Sequence, residues 1–423
     1  MTSLNPCGKK GEKHCKSELI KTAQKSCKKM FKFNIYVQNN VSSLRNYDRN
    51  RKVSSILEAA ASVDPIVNFG AFRDYVIKLK RDVLKEGIPF GLSGMATESL
   101  FYGHLKALIE YAGECFNDSS KLLLPHIEHG IAWLPRVPAN VLQPYVHCTV
   151  SQGAYRAEAI HAARPWLPHY AVGPYIHYAE PIYDAEQMQS MKREFGRTLL
   201  VFPAHTYELS QVRFSRESFV NLVFDKYASE FDTIMVSAYW HDADDSLFEL
   251  FERKGAKVVS SGMREDPEFI KRLKTVICLS DKAVGNALGT NIGYCACLGV
   301  PFEMIDADLT DINDVGNSYG SEEALELARK TQDVTKACFQ GMDSAVFMDV
   351  YNTYWGGAES IKSREEIRCI LDISREVLDV SRGFTKRFPK AVSYVYEQAC
   401  IGKSSNSSMK RRLLDNAWGN GDE

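Results

Sequence analysis

From Thr198 onward the chain alternates short apolar runs with amphipathic stretches, and this rhythm restricts it to one kind of architecture. TLLVFPAH reads as a strand, SFVNLVFDKYASEF as a helix, DTIMVSAYW as a strand, DSLFELFERKG as a helix and AKVVSSG as a strand. A βαβαβ order needs a parallel sheet covered by helices on both faces. The helix DPEFIKRLK, the run Thr275 to Leu279 (TVICL) as a fourth strand, a glycine loop with its helix, and PFEMI as a fifth strand complete a doubly wound unit over 198–306.

The first half repeats this grammar less regularly. KFNIYV, LLLPHIEHG, YVHCTV and YAVGPYIHY are strand-like, and residues 53–85 have helical patterning. The expected organisation is a lysine-rich segment over 1–32, a smaller α/β domain over 33–180 and a linker with a helical middle over 181–197. A Rossmann-like domain over 198–315, helices over 316–401 and a frayed tail over 402–423 complete it. Two α/β domains imply a cleft between them, with ligands at the carboxyl ends of the strands.

The loops at those ends carry the chemistry. In SDKAVGNALGT, Asn286, Gly289, Thr290 and Asn291 stand at a loop-to-helix junction, where free N–H groups and the helix dipole attract an anion. Ser280 opens the same loop. Gly289 omits the side chain that would block the approach, although ordinary capping also accounts for Gly-Thr at a helix start. After the first strand come His205 and Thr206, able to donate to a phosphate or hydroxyl. Arg264 follows the third strand, where it would meet a diphosphate or nucleotide, or pair with Glu265 or Glu268 on the surface.

In the first half, LPHIEHGIAWLP places His126, Glu128 and His129 at a strand end just before Gly130. These side chains exchange protons near neutral pH, and His129 is the candidate general base, with Glu128 beside it. Ser151, in the triplet Ser151-Gln152-Gly153, and Gly173-Pro174-Tyr175 occupy comparable positions. No metal is expected, because HIEH lacks the helical HExxH spacing and a third ligand.

Composition narrows the class. The 423 residues suffice for two full cores, and a formal net charge of -1 argues against a general nucleic-acid binder. No run of about 18 uncharged apolar residues and no secretory h-region is present, so a cytoplasmic protein is expected. Residues 8–32 hold nine lysines, read either as a contact with anionic lipid at the inner face of the membrane or as a solvated tail. The eleven cysteines form no paired CxxC motifs, so neither a zinc ribbon nor a disulfide framework is expected, and Cys295 and Cys297 read as core thiols.

With EHG (128–130), SGMREDPEF (261–269) and LSDKAVGNALGTNIGYCACLGVPF (279–302) in view, the chain resembles bacterial glycosyltransferases of capsule and lipopolysaccharide biosynthesis with GT-B-like architecture. The likeness covers about 120–306 and departs at Asn291, the place of a histidine in such transferases. It implies a nucleotide-sugar donor held by the second domain and a glycan or lipid-linked glycan acceptor held by the first, whose acceptor-side candidates are His126, Gly130 and Ser151. No separate cofactor is implied, since the nucleotide-sugar is a substrate. A nucleotide-sugar 2-epimerase and a non-catalytic nucleotide-sugar-binding assembly protein remain the alternatives.

Overall fold

The structure, a computed structural model, describes residues 62–85, 101–116, 125–137, 141, 148–165, 167–205, 210–264, 266–306, 310–313 and 321–386. The lysine-rich segment, the strand expected at KFNIYV, Thr206 and the terminal tail lie outside the described residues.

Two parallel sheets organise the chain. The smaller has the order β1-β2-β3, formed by His126–Ile127, Thr149–Ser151 and His169–Ala171. The larger is built from β4 (Thr198–Phe202), β6 (Thr233–Ala238), β7 (Lys257–Ser260), β8 (Lys282–Gly285) and β9 (Phe302–Met304). Its order is β7-β6-β4-β8-β9, with every pair parallel. The chain therefore starts in the middle, winds outward one way, returns, and winds outward the other way, as the alternation requires. A separate short antiparallel pair, β5 (Ser210–Arg213) and β10 (Thr310–Asn313), joins segments that the sequence left unassigned.

The strands of the larger sheet are buried on both faces, and their side chains divide with period two. Leu199, Val201, Val236, Val258 and Val284 face one apolar cluster, with Phe219, Phe248 and Phe251 of the covering helices. Leu200, Met235, Val259 and Ala283 face the other, which runs without a break to Ile127, Val150 and Val172 of the smaller sheet. Helix α1 (Phe69–Lys85), which sequence order groups with the first half, puts Phe69, Phe72 and Val76 into the first of these clusters, against the larger sheet.

The fourth strand is a correction. TVICL is not a strand: it is the last turn and a half of helix α7 (Phe269–Leu279), whose Ile270, Val276, Ile277 and Leu279 are buried. A short apolar run at the end of an amphipathic helix cannot be told from a strand by periodicity. Ser280 ends the helix, its hydroxyl donating to the Ile277 carbonyl at 2.7 Å, and the strand begins two residues later at Lys282. Ser280 thus stands at the amino edge of the sheet, away from the carboxyl ends where a ligand would bind.

The later helices tie the halves together. Helix α10 (Ala345–Trp355) ends on Trp355, which is fully buried and whose indole N–H donates to the Thr290 carbonyl at 3.1 Å. A Cβ at Gly293 would stand 2.2 Å from Trp355 Cδ1, so only glycine lets helix α8 (Thr290–Cys297) approach this ring. Residues on either side of Trp355 cover the ends of the smaller sheet. A Cβ at Gly153 would stand 2.2 Å from the Thr353 carbonyl oxygen, and one at Gly173 3.1 Å from Ile361. Those two expected binding turns are therefore packing contacts. Helix α11 (Arg364–Lys386) then lies on helix α2 (His104–Tyr111), with Arg368 donating to the Ala112 carbonyl at 2.5 Å.

Gly293→Ala is expected to destabilise the protein by about 1–3 kcal/mol, because the methyl must displace a ring with no free space around it. Urea denaturation of the two proteins measures this, and an unchanged midpoint would show that Trp355 can move.

Candidate functional site

The strand order reverses between β4 and β8, and open α/β sheets leave a crevice at such a place. The loops leaving these two strands are joined by one hydrogen bond, from the Ala204 N–H to Asn286 Oδ1 at 2.7 Å. With its oxygen so engaged, the Asn286 amide turns its Nδ2 donor away from the backbone, and that atom has no partner although the residue is 2% exposed. Three residues on, Gly289 caps helix α8 in extended conformation, and no side chain caps the helix start. A Cβ at Gly289 would stand 2.3 Å from Asn291 Oδ1, so a side chain there would push the Asn291 amide aside.

The cleft above these loops measures about 1020 Å³, and its lining includes His205, Asn286, Gly289, Thr290 and Asn291. His205 is stacked on Tyr239, their ring centroids 4.2 Å apart. Arg264 is absent from the lining. Its guanidinium lies 4.4 Å from the Phe101 ring centroid, a cation–π contact away from the place where the sequence expected a diphosphate, and Glu265, one suggested partner, lies outside the described residues. Glu268, the other suggested partner, pairs instead with Lys106 at 3.2 Å and Lys271 at 3.4 Å.

The smaller sheet supplies the opposite wall. The Glu128 N–H donates to the Val150 carbonyl at 2.9 Å, continuing the β1-β2 ladder, and His129 and Gly130 follow onto the lining of the cleft. His129 is exposed there, its ring 5.9 Å from Phe101 and 6.0 Å from Tyr102. A Cβ at Gly130 would lie 4.0 Å from Thr290 Oγ1, so the EHG turn and the glycine-capped helix face each other directly.

Its neighbours have other work. Glu128 is held by a fork from Arg156, with Nε 3.1 Å from both carboxylate oxygens and Nη2 2.7 Å from one. The buried Arg156 also donates to the Leu134 and Arg136 carbonyls, so the pair staples the loop that carries His129. The carboxylate is engaged in that staple and does not line the cleft. His126 is buried beneath the strand end and lies off the cleft. Ser151 accepts from His169 Nε2 at 2.9 Å and donates to the Gly153 carbonyl at 2.9 Å, while Thr149 Oγ1 donates to His169 Nδ1 at 2.8 Å. This closed network binds strands β2 and β3 and holds Ser151 off the lining of the cleft.

Sequence reasoning missed Tyr102 and His104. Tyr102 is the one non-glycine residue with positive φ (57°) among those described, a conformation costing about 1–3 kcal/mol. It is followed by Gly103, whose φ is 69° and where a Cβ would stand 2.3 Å from the Pro267 carbonyl oxygen. The turn sets the Tyr102 ring 4.9 Å from Phe269, brings its hydroxyl to 3.4 Å from that of Tyr239, and carries both Tyr102 and His104 onto the lining. The only local signal was an aromatic–glycine–histidine run in FYGH.

Four buried polar atoms on the lining have no partner: Asn286 Nδ2, Ser261 Oγ, Tyr294 Oη and His104 Nδ1. Native proteins leave few such atoms, and a group of them around one cleft marks where a ligand or ordered water bonds. Among the described residues, no group of three or more His, Cys, Asp or Glu side chains is placed to hold a metal ion, and no helix is long and apolar enough to cross a membrane. Comparison with protein-family models, with curated proteins and with solved structures finds no match to this chain.

Three histidines near the cleft are held neutral. Burial pushes His104 down to about 3 and His126 down to about 4, with the charge of His129 adding to each, while burial and then Arg156 push His169 down to about 3. Their unfolded value is near 6.5. The stability they contribute is thus complete above about pH 6.5 and is lost as pH falls toward their folded values. Between pH 6.5 and 5 the unfolded chain should take up about one more proton per histidine than the folded one. Urea midpoints across this range are expected to fall steadily, and a flat profile would contradict the burial of these rings.

Proposed function

We propose that this chain is a metal-independent glycosyltransferase of GT-B-like, two-domain architecture that moves a sugar from a nucleotide-activated donor to a glycan or lipid-linked glycan acceptor in surface-polysaccharide synthesis. The observation that carries the reading is the confrontation of the EHG turn with the glycine-capped helix, close enough that a Cβ at Gly130 would lie 4.0 Å from Thr290 Oγ1. One wall offers a proton acceptor and the other an anion site, which are the two needs of glycosyl transfer.

In this reading the donor phosphate sits at the start of helix α8, against the Thr290 and Asn291 N–H groups and the Asn286 amide. These donors aim at the charge that builds as the bond between the anomeric carbon and the phosphate oxygen breaks, the electron pair leaving with the phosphate. The acceptor hydroxyl attacks the anomeric carbon, and His129 takes its proton. A single displacement of this kind inverts the anomeric centre. The smaller sheet, with His129 and Gly130, belongs to the acceptor side, and the larger sheet to the donor side. The same reading places the protein in the cytoplasm, with the nine lysines of 8–32 available to hold it at the inner face of the membrane.

An epimerase acting on the nucleotide-sugar alone would use the same donor site, and product analysis with donor and no acceptor separates the two. A binding module would take up the donor and turn over nothing.

Two variants test the roles. His129→Ala is expected to abolish transfer while leaving thermal stabilisation by nucleotide intact, and an unchanged rate would remove His129 from the chemistry. Asn286→Asp keeps the oxygen that accepts from Ala204 but replaces the Nδ2 donor with a second acceptor oxygen. Nucleotide affinity is expected to fall at least about tenfold, or ~1.4 kcal/mol, by calorimetry. Equal affinity would place the phosphate elsewhere.

A further inference from the structure

The charge of the cleft sets a limit on its ligand. Among the described residues that line it there is no lysine and no arginine, and the single carboxylate is the exposed side chain of Asp306. The nearby Arg264 guanidinium lies over Phe101, off the lining. His104, which also lines the cleft, is held neutral by burial.

What the cleft offers instead is neutral. Asn286 Nδ2, Ser261 Oγ and Tyr294 Oη are buried and without partners, and the start of helix α8 supplies a partial charge of roughly +0.5. That set matches one phosphate. A second phosphate would meet no cation among the described lining residues and would share the cleft with the Asp306 carboxylate, and like charges there repel.

We propose that the cleft selects a donor whose sugar is joined to the nucleoside through a single phosphate, a nucleoside monophosphate sugar, and disfavours nucleoside diphosphate sugars. This rests on the transferase reading above and narrows its donor class. Asn286 and the helix start hold the lone phosphate, and Asp306 works against a second one.

Calorimetric titration of the full chain with CMP against CDP, UMP against UDP and GMP against GDP tests it. The monophosphate of whichever base is preferred is expected to bind at least about tenfold tighter than its diphosphate, and raising the salt concentration should narrow the gap by screening. Asp306→Asn should narrow it too, by raising diphosphate affinity with little change for the monophosphate. A diphosphate that binds as tightly as its monophosphate, or more tightly, overturns the proposal and leaves the transferase reading standing. A gap that neither salt nor Asp306→Asn changes overturns its electrostatic basis. Failure of every nucleotide to bind overturns both.

Discussion

The hydrogen bond from the Ala204 N–H to Asn286 Oδ1 sits where the larger sheet changes winding direction, and the geometry of the cleft follows from it. Strands β4 and β8 are neighbours in space but are separated by most of the domain in sequence, so nothing local aligns their exits. One buried amide does so, and by committing its oxygen to the backbone it leaves its nitrogen directed at the crevice. The same bond sets the path into Gly289, and so the direction in which helix α8 points its free N–H groups. A structural contact and a binding donor are the two ends of one side chain.

The rest of the site depends on polar groups buried at a cost. The Arg156–Glu128 fork is deeply buried, with side chains 3% and 10% exposed, and a buried pair of this kind contributes little to stability over an apolar replacement. What it does is hold the turn bearing His129, because Arg156 reaches two carbonyls of that loop as well as the carboxylate. The neutral histidines beneath the turn and the left-handed Tyr102 are further expenses of stability placed around one cleft. Their concentration there accords with the tendency of strain and perturbed titration to gather at sites of function.

Trp355 connects this site to the end of the chain. It packs on Gly293, bonds the Thr290 carbonyl, and lies 5.7 Å from Trp133 on the loop that follows the EHG turn. Both walls of the cleft therefore rest on one ring from a helix that touches neither sheet's strand order. The apolar cluster that runs unbroken between the two sheets has the same effect on a larger scale. The spacing between proton acceptor and anion site is set by packing.

Much of the second half was legible in the sequence, because a strand buried on both faces must be continuously apolar and a covering helix must show its stripe. TLLVF, TIMVSA, KVVS and FEM are strands for that reason, and Asn286, Gly289 and Thr290 could be placed from glycine and capping chemistry alone. The failure at TVICL shows the limit, since five apolar residues satisfy the end of a helix as well as a strand, and the error carried Ser280 to the wrong edge. His129 and Gly130 were placed at the cleft from a histidine–glycine pair at a strand end, whereas the engagement of Glu128 by Arg156 could not be read because the two lie 28 residues apart. Tyr102 and His104 could not be found at all, for their place on the cleft is made by a left-handed turn and by Pro267, far along the chain. The amino-acid sequence by itself determined the periodicity, and with it the doubly wound sheet and the glycine-capped helix, because these depend on residues adjacent in the chain. Only the tertiary structure decided which polar atoms are left without partners around one cleft and which are spent on staples, because that depends on contacts between residues that the sequence holds far apart.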